Sequence, residues 1–248
     1  MTILQVVFDT ETTGADSTQA DFCQLASVIM VNGTPDTAMT FNRLAKPLHP
    51  IGAEAEQVHG ISNARVANET SSREVAEQWW DAVLGVADEV EAEGIVLVGH
   101  NAVAYDIPIM SRHLEWPSRV PLNTIDTLWA ARRLYPMADN HKLGYLAGEF
   151  HGLAGRELLD NAHDGLADCW MVALLLDYYR RTTEKSVQEF ATWINTPMKL
   201  EIIPIGKSKG LPFRMATHGL LKWFAKTPGL DPDIRFTAKS LLWGYGVE

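Results

Sequence analysis

Strand-like segments come first in this chain and alternate with helical ones afterwards, and that order restricts the fold more than any other feature. Ile3–Phe8 is a short apolar, β-branched run, and Cys23–Val31 and Ala38–Leu44 are strand-like segments flanking the turn residues Asn32 to Asp36. Ser71–Glu93 then repeats apolar residues at helical spacing (Val75, Trp79, Val83, Val86, Val90), with Ser71, Ser72 and Glu74 resembling a capping box. Ile95–Val98 is a fully apolar fourth strand closed by Gly99. Helical segments are expected after it at Asp106–Leu114, Thr127–Leu134, Leu143–Phe150 and Gly165–Arg181. Strands first, then alternation, predicts an α/β fold with a mixed β-sheet flanked by helices.

Charge divides the chain. With 21 Lys+Arg against 31 Asp+Glu the formal net charge is −10, which taken alone argues against a polyanionic partner. Residues 199–248, however, carry eight basic and four acidic side chains, a net of +4, so the rest carries −14. A helix is expected to end at Asn195-Thr196-Pro197. The division predicted is therefore a catalytic domain over 1–182, a linker over 183–198 and a small basic α+β module over 199–248. In that module Leu200–Ile205 is expected to be extended, Gly206 to Gly210 to turn, and His218–Lys226 and Pro232–Leu242 to be helical.

Cys23 and Cys169 match no zinc spacing and suit free thiols in a reducing cytoplasm. The first acidic residue comes too early for a signal peptide, and no run of about 18 apolar residues exists, so a cytoplasmic location without membrane contact is expected.

The chemistry lies where the first strand ends, at Phe8-Asp9-Thr10-Glu11-Thr12-Thr13-Gly14. Residues i and i+2 of an extended segment point the same way, so Asp9 and Glu11 would share one side. Like charges this close raise each other's pKa unless a cation neutralises them. Oxygen ligands without a cysteine or paired histidine favour magnesium or manganese. For the pair in isolation a turn cap at Asp9 and a solvated Glu11 is the other reading. Two more segments add to it: Asp106 stands where the fourth strand gives way to a helix, and Asp168 lies in the first turns of the long helix. His163 precedes Asp168 by five residues, about 140° of helical rotation, so it reads as a loop group reaching the site from outside.

These residues resemble the DEDDh 3′→5′ exonucleases of the ribonuclease H-like fold, which include proofreading exonucleases, exodeoxyribonuclease X and ribonuclease T. The likeness covers roughly the first 180 residues and rests on Asp9 to Gly14, Val58-His59-Gly60-Ile61-Ser62, Gly99-His100-Asn101 with Asp106, Asp126-Thr127-Leu128, and His163 with Asp168. It implies that Asp9, Glu11, Asp106 and Asp168 hold two Mg2+ ions, Mn2+ being able to substitute, and that His163 is the general base. It also implies that Thr12 and His59 lie near the terminal nucleotide, a structural hydrogen-bonding role being the alternative for His59. The substrate implied is nucleic acid with a free 3′ end, DNA before RNA. An RNA 3′-end-trimming enzyme and a non-catalytic nucleic-acid-binding subunit are the alternatives. Disorder of the His163 loop without metal is expected.

Most of residues 200–243 is similar to a small domain found at the C-terminus of some exodeoxyribonuclease X-like proteins. Lys207 and Lys209 in its Gly-Lys-Ser-Lys-Gly turn are candidate phosphate contacts. Phe213, Trp223 and Phe236 could stack on bases, although so small a unit needs large apolar groups for its core.

Overall fold

The computed structural model describes residues 1–34, 38–114, 122–150 and 164–244. Five strands, β1 (Ile3–Thr12), β2 (Phe22–Val31), β3 (Met39–Leu44), β4 (Gly94–Gly99) and β5 (Leu122–Asp126), form one mixed sheet in the order β3-β2-β1-β4-β5. The β1–β2 and β2–β3 pairs are antiparallel, whereas β4 joins β1 and β5 joins β4 in parallel. The expected sheet is therefore present. β5 was not foreseen, because Leu122-Asn123-Thr124-Ile125 is short and carries two polar residues, and its pairing with the apolar β4 overrides a weak local signal.

The helices are α1 (Ala53–His59), α2 (Asn63–Val66), α3 (Ser72–Glu89), α4 (Asp106–Met110), α5 (Thr127–Leu134), α6 (143–150), α7 (Gly165–Thr183) and α8 (Val187–Asn195), followed by α9 (His218–Lys226) and α10 (Pro232–Gly244). They cover both faces of the sheet, and the two-residue period of β1 sorts its side chains between them. Even-numbered Leu4, Val6 and Phe8 pack with Trp79, Trp80 and Val83 of α3. Odd-numbered Ile3 and Val7 pack with Cys169, Val172, Leu176 and Phe190 of α7 and α8. Trp79 fixes α3 by donating its buried indole N–H to Ser27 Oγ at 2.9 Å. Ser71 caps α3 as expected, accepting from the Glu74 N–H.

Two expectations need correction. Residues 183–198, expected as a linker, hold the helix α8, which ends at Asn195 as the sequence predicts: Ser186 and Glu189 form a capping box that starts it, and Phe190 and Ile194 are fully buried, so the segment packs on the sheet. The 199–248 segment contains no paired strand among its described residues. Only an isolated Ile202–Pro212 bridge is formed, and the α9–α10 hairpin closes over Ile203, Phe213 and Ile234.

Gly99 ends β4 because the chain turns back on itself there. A Cβ at this position would lie 2.5 Å from the Ala102 Cβ and 3.3 Å from the Phe8 carbonyl oxygen. Gly99→Ala is expected to cost about 1–3 kcal/mol by this overpacking, read as a lower urea midpoint at unchanged slope.

Candidate active site

At the end of β1 the odd-numbered series continues past Val7 into Asp9 and Glu11. They extend the face that α7 covers, and α7 brings Asp168 in its first turn. Asp164 caps α7 by accepting from the Leu166 N–H at 3.0 Å, which fixes where the helix begins. Gly165 lets the helix come close to the strands, since a Cβ there would stand 3.1 Å from Ala26 Cβ and 3.7 Å from Asp9 Oδ2. Asp9, Glu11 and Asp168 consequently each offer an oxygen within 4.8 Å of one another.

Asp106 lies outside that cluster. Thr10, an even-numbered residue pointing the other way, donates to Asp106 Oδ1 from its hydroxyl at 2.5 Å and from its N–H at 3.2 Å. Asp106 remains close enough for its charge to act on Asp9 and Glu11. His163 falls outside the described residues, as does most of its loop.

The electrostatics describe a site short of positive charge. Burial first, then the charges of Asp106, Asp168 and Glu11, hold the Asp9 carboxyl far above the ordinary carboxylate range. Burial first, then the charges of Asp168, Asp106 and Asp164, push Glu11 up to about 8, and burial pushes Asp106 up to about 7 against its hydrogen bonds from Thr10. An all-carboxylate oxygen set under this repulsion fits a hard divalent cation such as Mg2+ or Mn2+.

That fit has a measurable consequence. Groups with a raised folded-state pKa bind protons more tightly folded than unfolded, so they favour folding at low pH. This advantage is lost as pH climbs from the ordinary carboxylate range toward about 8, the value for Glu11. The gain in Tm from millimolar Mg2+ over chelator should thus be near zero at about pH 5 and several degrees at about pH 8. A gain independent of pH would mean that these carboxylates do not hold the ion.

Beside the carboxylates lies a cavity of about 700 Å³ lined by Glu11, Thr12, Gly14, Ala55, His59 and Tyr105, among others. Thr12 Oγ1 is 2.5 Å from the Tyr105 hydroxyl and donates to the Gly14 carbonyl at 3.1 Å, and the Tyr105 hydroxyl also donates to Gly14 O at 2.5 Å. His59 Nε2 lies 3.1 Å from the Thr12 carbonyl, and its Nδ1 accepts from the Ile61 N–H at 3.0 Å. Both ring nitrogens of His59 therefore bond the backbone, and the residue shapes the cavity wall.

Asp126 does more than cap α5. Its carboxylate accepts from the Leu128 N–H and also from the N–H groups of Asn101 and Val103, fastening the loop that delivers Asp106. His100 completes that fastening through Thr127 Oγ1 at 3.0 Å and the His141 carbonyl at 2.8 Å.

Sequence reading missed Thr10 and Tyr105. Strand alternation held the signal for Thr10, a hydroxyl between two carboxylates and facing away from them, while Tyr105 was marked only by its place before Asp106. In the C-terminal segment Lys207 is exposed, but the Lys209 ammonium donates to the carbonyls of Ala138 and Asp139 and so clasps the catalytic part.

Residues 6–176 match the sequence profile of the RNase T exonuclease family. The chain is 35% identical over 143 residues to a DNA polymerase III subunit epsilon-like protein of Rhodobacter capsulatus, covering 57% of this chain and 19% of that one. It is 33% identical over 148 residues to a PolC-type DNA polymerase III of Streptococcus agalactiae, covering 58% of this chain and 9% of that one. The chain thus spans a small part of the length of these relatives. Among solved structures, exonuclease X in complex with 5′-overhanging duplex DNA aligns with a TM-score of 0.52 at 24% identity, over 76% of this chain and 98% of that one. Escherichia coli exonuclease I in complex with a dA16 oligonucleotide aligns with a TM-score of 0.58 at 16% identity, over 77% and 42%. At these identities the two structures establish the shared fold.

Proposed function

Because the chain belongs to the RNase T family of exonucleases, in its DEDDh 3′→5′ group, we propose that its acidic cleft hydrolyses DNA from the 3′ end and releases nucleoside 5′-monophosphates. The observation that carries this reading is the convergence of Asp9, Glu11 and Asp168 within 4.8 Å beside a cavity large enough for a nucleotide. In this reading Asp9, Glu11 and Asp168 hold Mg2+, and Asp106, steadied by Thr10, completes the set. A pair of such ions supplies an activated water and stabilises charge on the leaving 3′-oxygen.

The protein's own groups do the rest. His163 takes the proton of the attacking water, a role for which a neutral imidazole is suited near neutral pH. Thr12, tied to Gly14 and Tyr105, and His59, tied to Thr12 and Ile61, keep the cavity rigid around the terminal nucleotide, so little ordering is left to occur on binding. DNA before RNA is supported by the solved neighbours, which were captured on DNA.

We further divide the chain into a catalytic part reaching through α8 and an appended module from residue 199. Lys207 is the module's candidate phosphate contact, Lys209 being engaged with Ala138 and Asp139. Among the described residues no helix is long and apolar enough to cross a membrane, and the two cysteines are buried free thiols, which supports a cytoplasmic setting.

The test is incubation of 5′-end-labelled DNA and RNA, each single- and double-stranded, with Mg2+ or chelator. The reading expects stepwise shortening of DNA from the 3′ end that chelator stops. Faster loss of RNA would reassign the polymer, and undiminished activity in chelator would remove the metal.

A further inference from the structure

The C-terminal module turns a mainly basic surface outward. Of its acidic residues, Asp231 and Asp233 are buried and face Arg132 and Arg133 of α5. Over residues 199–244 this leaves Glu201 as the exposed acid against exposed Lys199, Lys207, Arg214, Lys222, Lys226 and Lys239.

Aromatic rings stand among those lysines. On α10 the buried residues are Asp233, Ile234, Thr237 and Ala238, and the opposite face carries Phe236, Lys239 and Trp243 at steps of three and four residues. Phe236 is 40% exposed and Trp243 86%, far beyond what a core residue keeps. α9 repeats the arrangement: Leu221, Phe224 and Ala225 are buried, while Trp223, 54% exposed, lies between Lys222 and Lys226. Exposed aromatics gathered on one helix face mark a contact surface, and these are interleaved with cations.

The hairpin is also placed for the purpose. Its turn residue Gly229 packs on Ala104, where a Cβ added to the glycine would come within 3.5 Å of Ala104 Cβ, two residues before Asp106.

We propose that the α9–α10 hairpin is a stacking track for single-stranded nucleic acid. Unpaired bases lie on Phe236, Trp243 and Trp223, and the phosphates between them meet Lys239, Lys222 and Lys226. Stacking needs bases free of a partner strand, so the track selects a single-stranded 3′ tail over a closed duplex. The ligand class rests on the nuclease reading above, but the surface lies outside the acidic cleft and can be measured separately.

The experiment uses the full chain with Asp9→Asn, in chelator, so that nothing is hydrolysed. Binding of labelled oligo-dT, oligo-rU and a blunt duplex is followed by anisotropy across a salt series. The proposal expects oligo-dT or oligo-rU to bind more tightly than duplex. Phe236→Ala and Trp243→Ala should each weaken single-strand binding about tenfold and leave duplex binding within about twofold. Lys239→Glu should lower the slope of log K against log salt by about 1. Both aromatic variants are at exposed positions, and an unchanged Tm shows that they fold.

Unchanged single-strand affinity in both aromatic variants overturns the track, and so does an equal loss on duplex. A concentration-dependent dimer that Trp243→Ala abolishes, with oligo-dT affinity intact, overturns it in favour of a second copy of the chain. Failure of the native protein to shorten DNA while these affinities behave as expected defeats the nuclease reading and leaves the track standing.

Discussion

Asp9→Asn is expected to lower the rate of 3′-end hydrolysis by on the order of 10³-fold or more while the protein stays folded. The carboxylate is the most hemmed in of the cluster: Asp106, Asp168 and Glu11 all act on it, and Gly165 brings α7 within reach of its Oδ2. A cation bound there is worth several kcal/mol to a developing phosphoryl charge, and each 1.36 kcal/mol is a factor of ten. Asn matches Asp in shape, so the cleft keeps its form. It also removes a buried group that ionises only against burial and the charges of its neighbours, so in chelator the variant should melt at or above the native temperature. Initial rates on end-labelled oligo-dT and melting curves in chelator test the two halves together. Residual activity within about tenfold of native would remove Asp9 from the reaction, and a lower Tm would mean that the repulsion argument is wrong.

That separation of activity from stability reflects how the site is written into the chain. Asp9 and Glu11 were legible because a strand has a period of two, so two carboxylates after an apolar run must share a face. The face they share became known only when Ile3 and Val7 were seen against α7. Asp168 was legible from its place after a helix cap. The tether between Thr10 and Asp106 was not, since it joins residues 96 positions apart and depends on β4 pairing in parallel with β1. β5 was lost for a related reason, its strand character being supplied by β4. The aromatics of the C-terminal segment show the limit most sharply. Phe213, Trp223 and Phe236 read alike in sequence, yet Phe213 is 2% exposed and the other two are half out in solvent. The rotation of α9 and α10 about their axes sorts them, and that is set by which residues face Ile203.

Arg133→Met should be the most destabilising single change that leaves the acidic cleft untouched. The guanidinium donates to Asp233 through Nε and Nη2 at 2.6 Å each and to the Trp193 carbonyl at 2.6 Å, with the carbonyls of Ile194 and Thr196 at 3.2 Å. It also lies over the Trp193 ring at 4.6 Å. One side chain on α5 thus satisfies carbonyls left open at the end of α8 and pins the start of α10. Both partners are 3% exposed, so removing the cation strands a buried carboxylate, a loss of about 3–5 kcal/mol. At roughly 2–4 °C per kcal/mol for a chain of this size, Tm should fall by about 10 °C. Lys in its place should recover little, because an ammonium on one stem cannot hold a bidentate carboxylate and a row of carbonyls together. A cycle with Asp233→Asn isolates the pair: a coupling near zero would show that apolar packing alone holds the module. With a large coupling, limited proteolysis of Arg133→Met should cut first near residues 196–200, releasing the hairpin. If the hairpin does carry the strand, this variant should also lose affinity for single-stranded DNA while hydrolysing saturating substrate at the native rate. Weaker cohesion then reads out as weaker grip, because the basic face is fixed beside the cleft by the same two acids, Asp231 and Asp233, whose burial leaves the module's outer surface mainly basic.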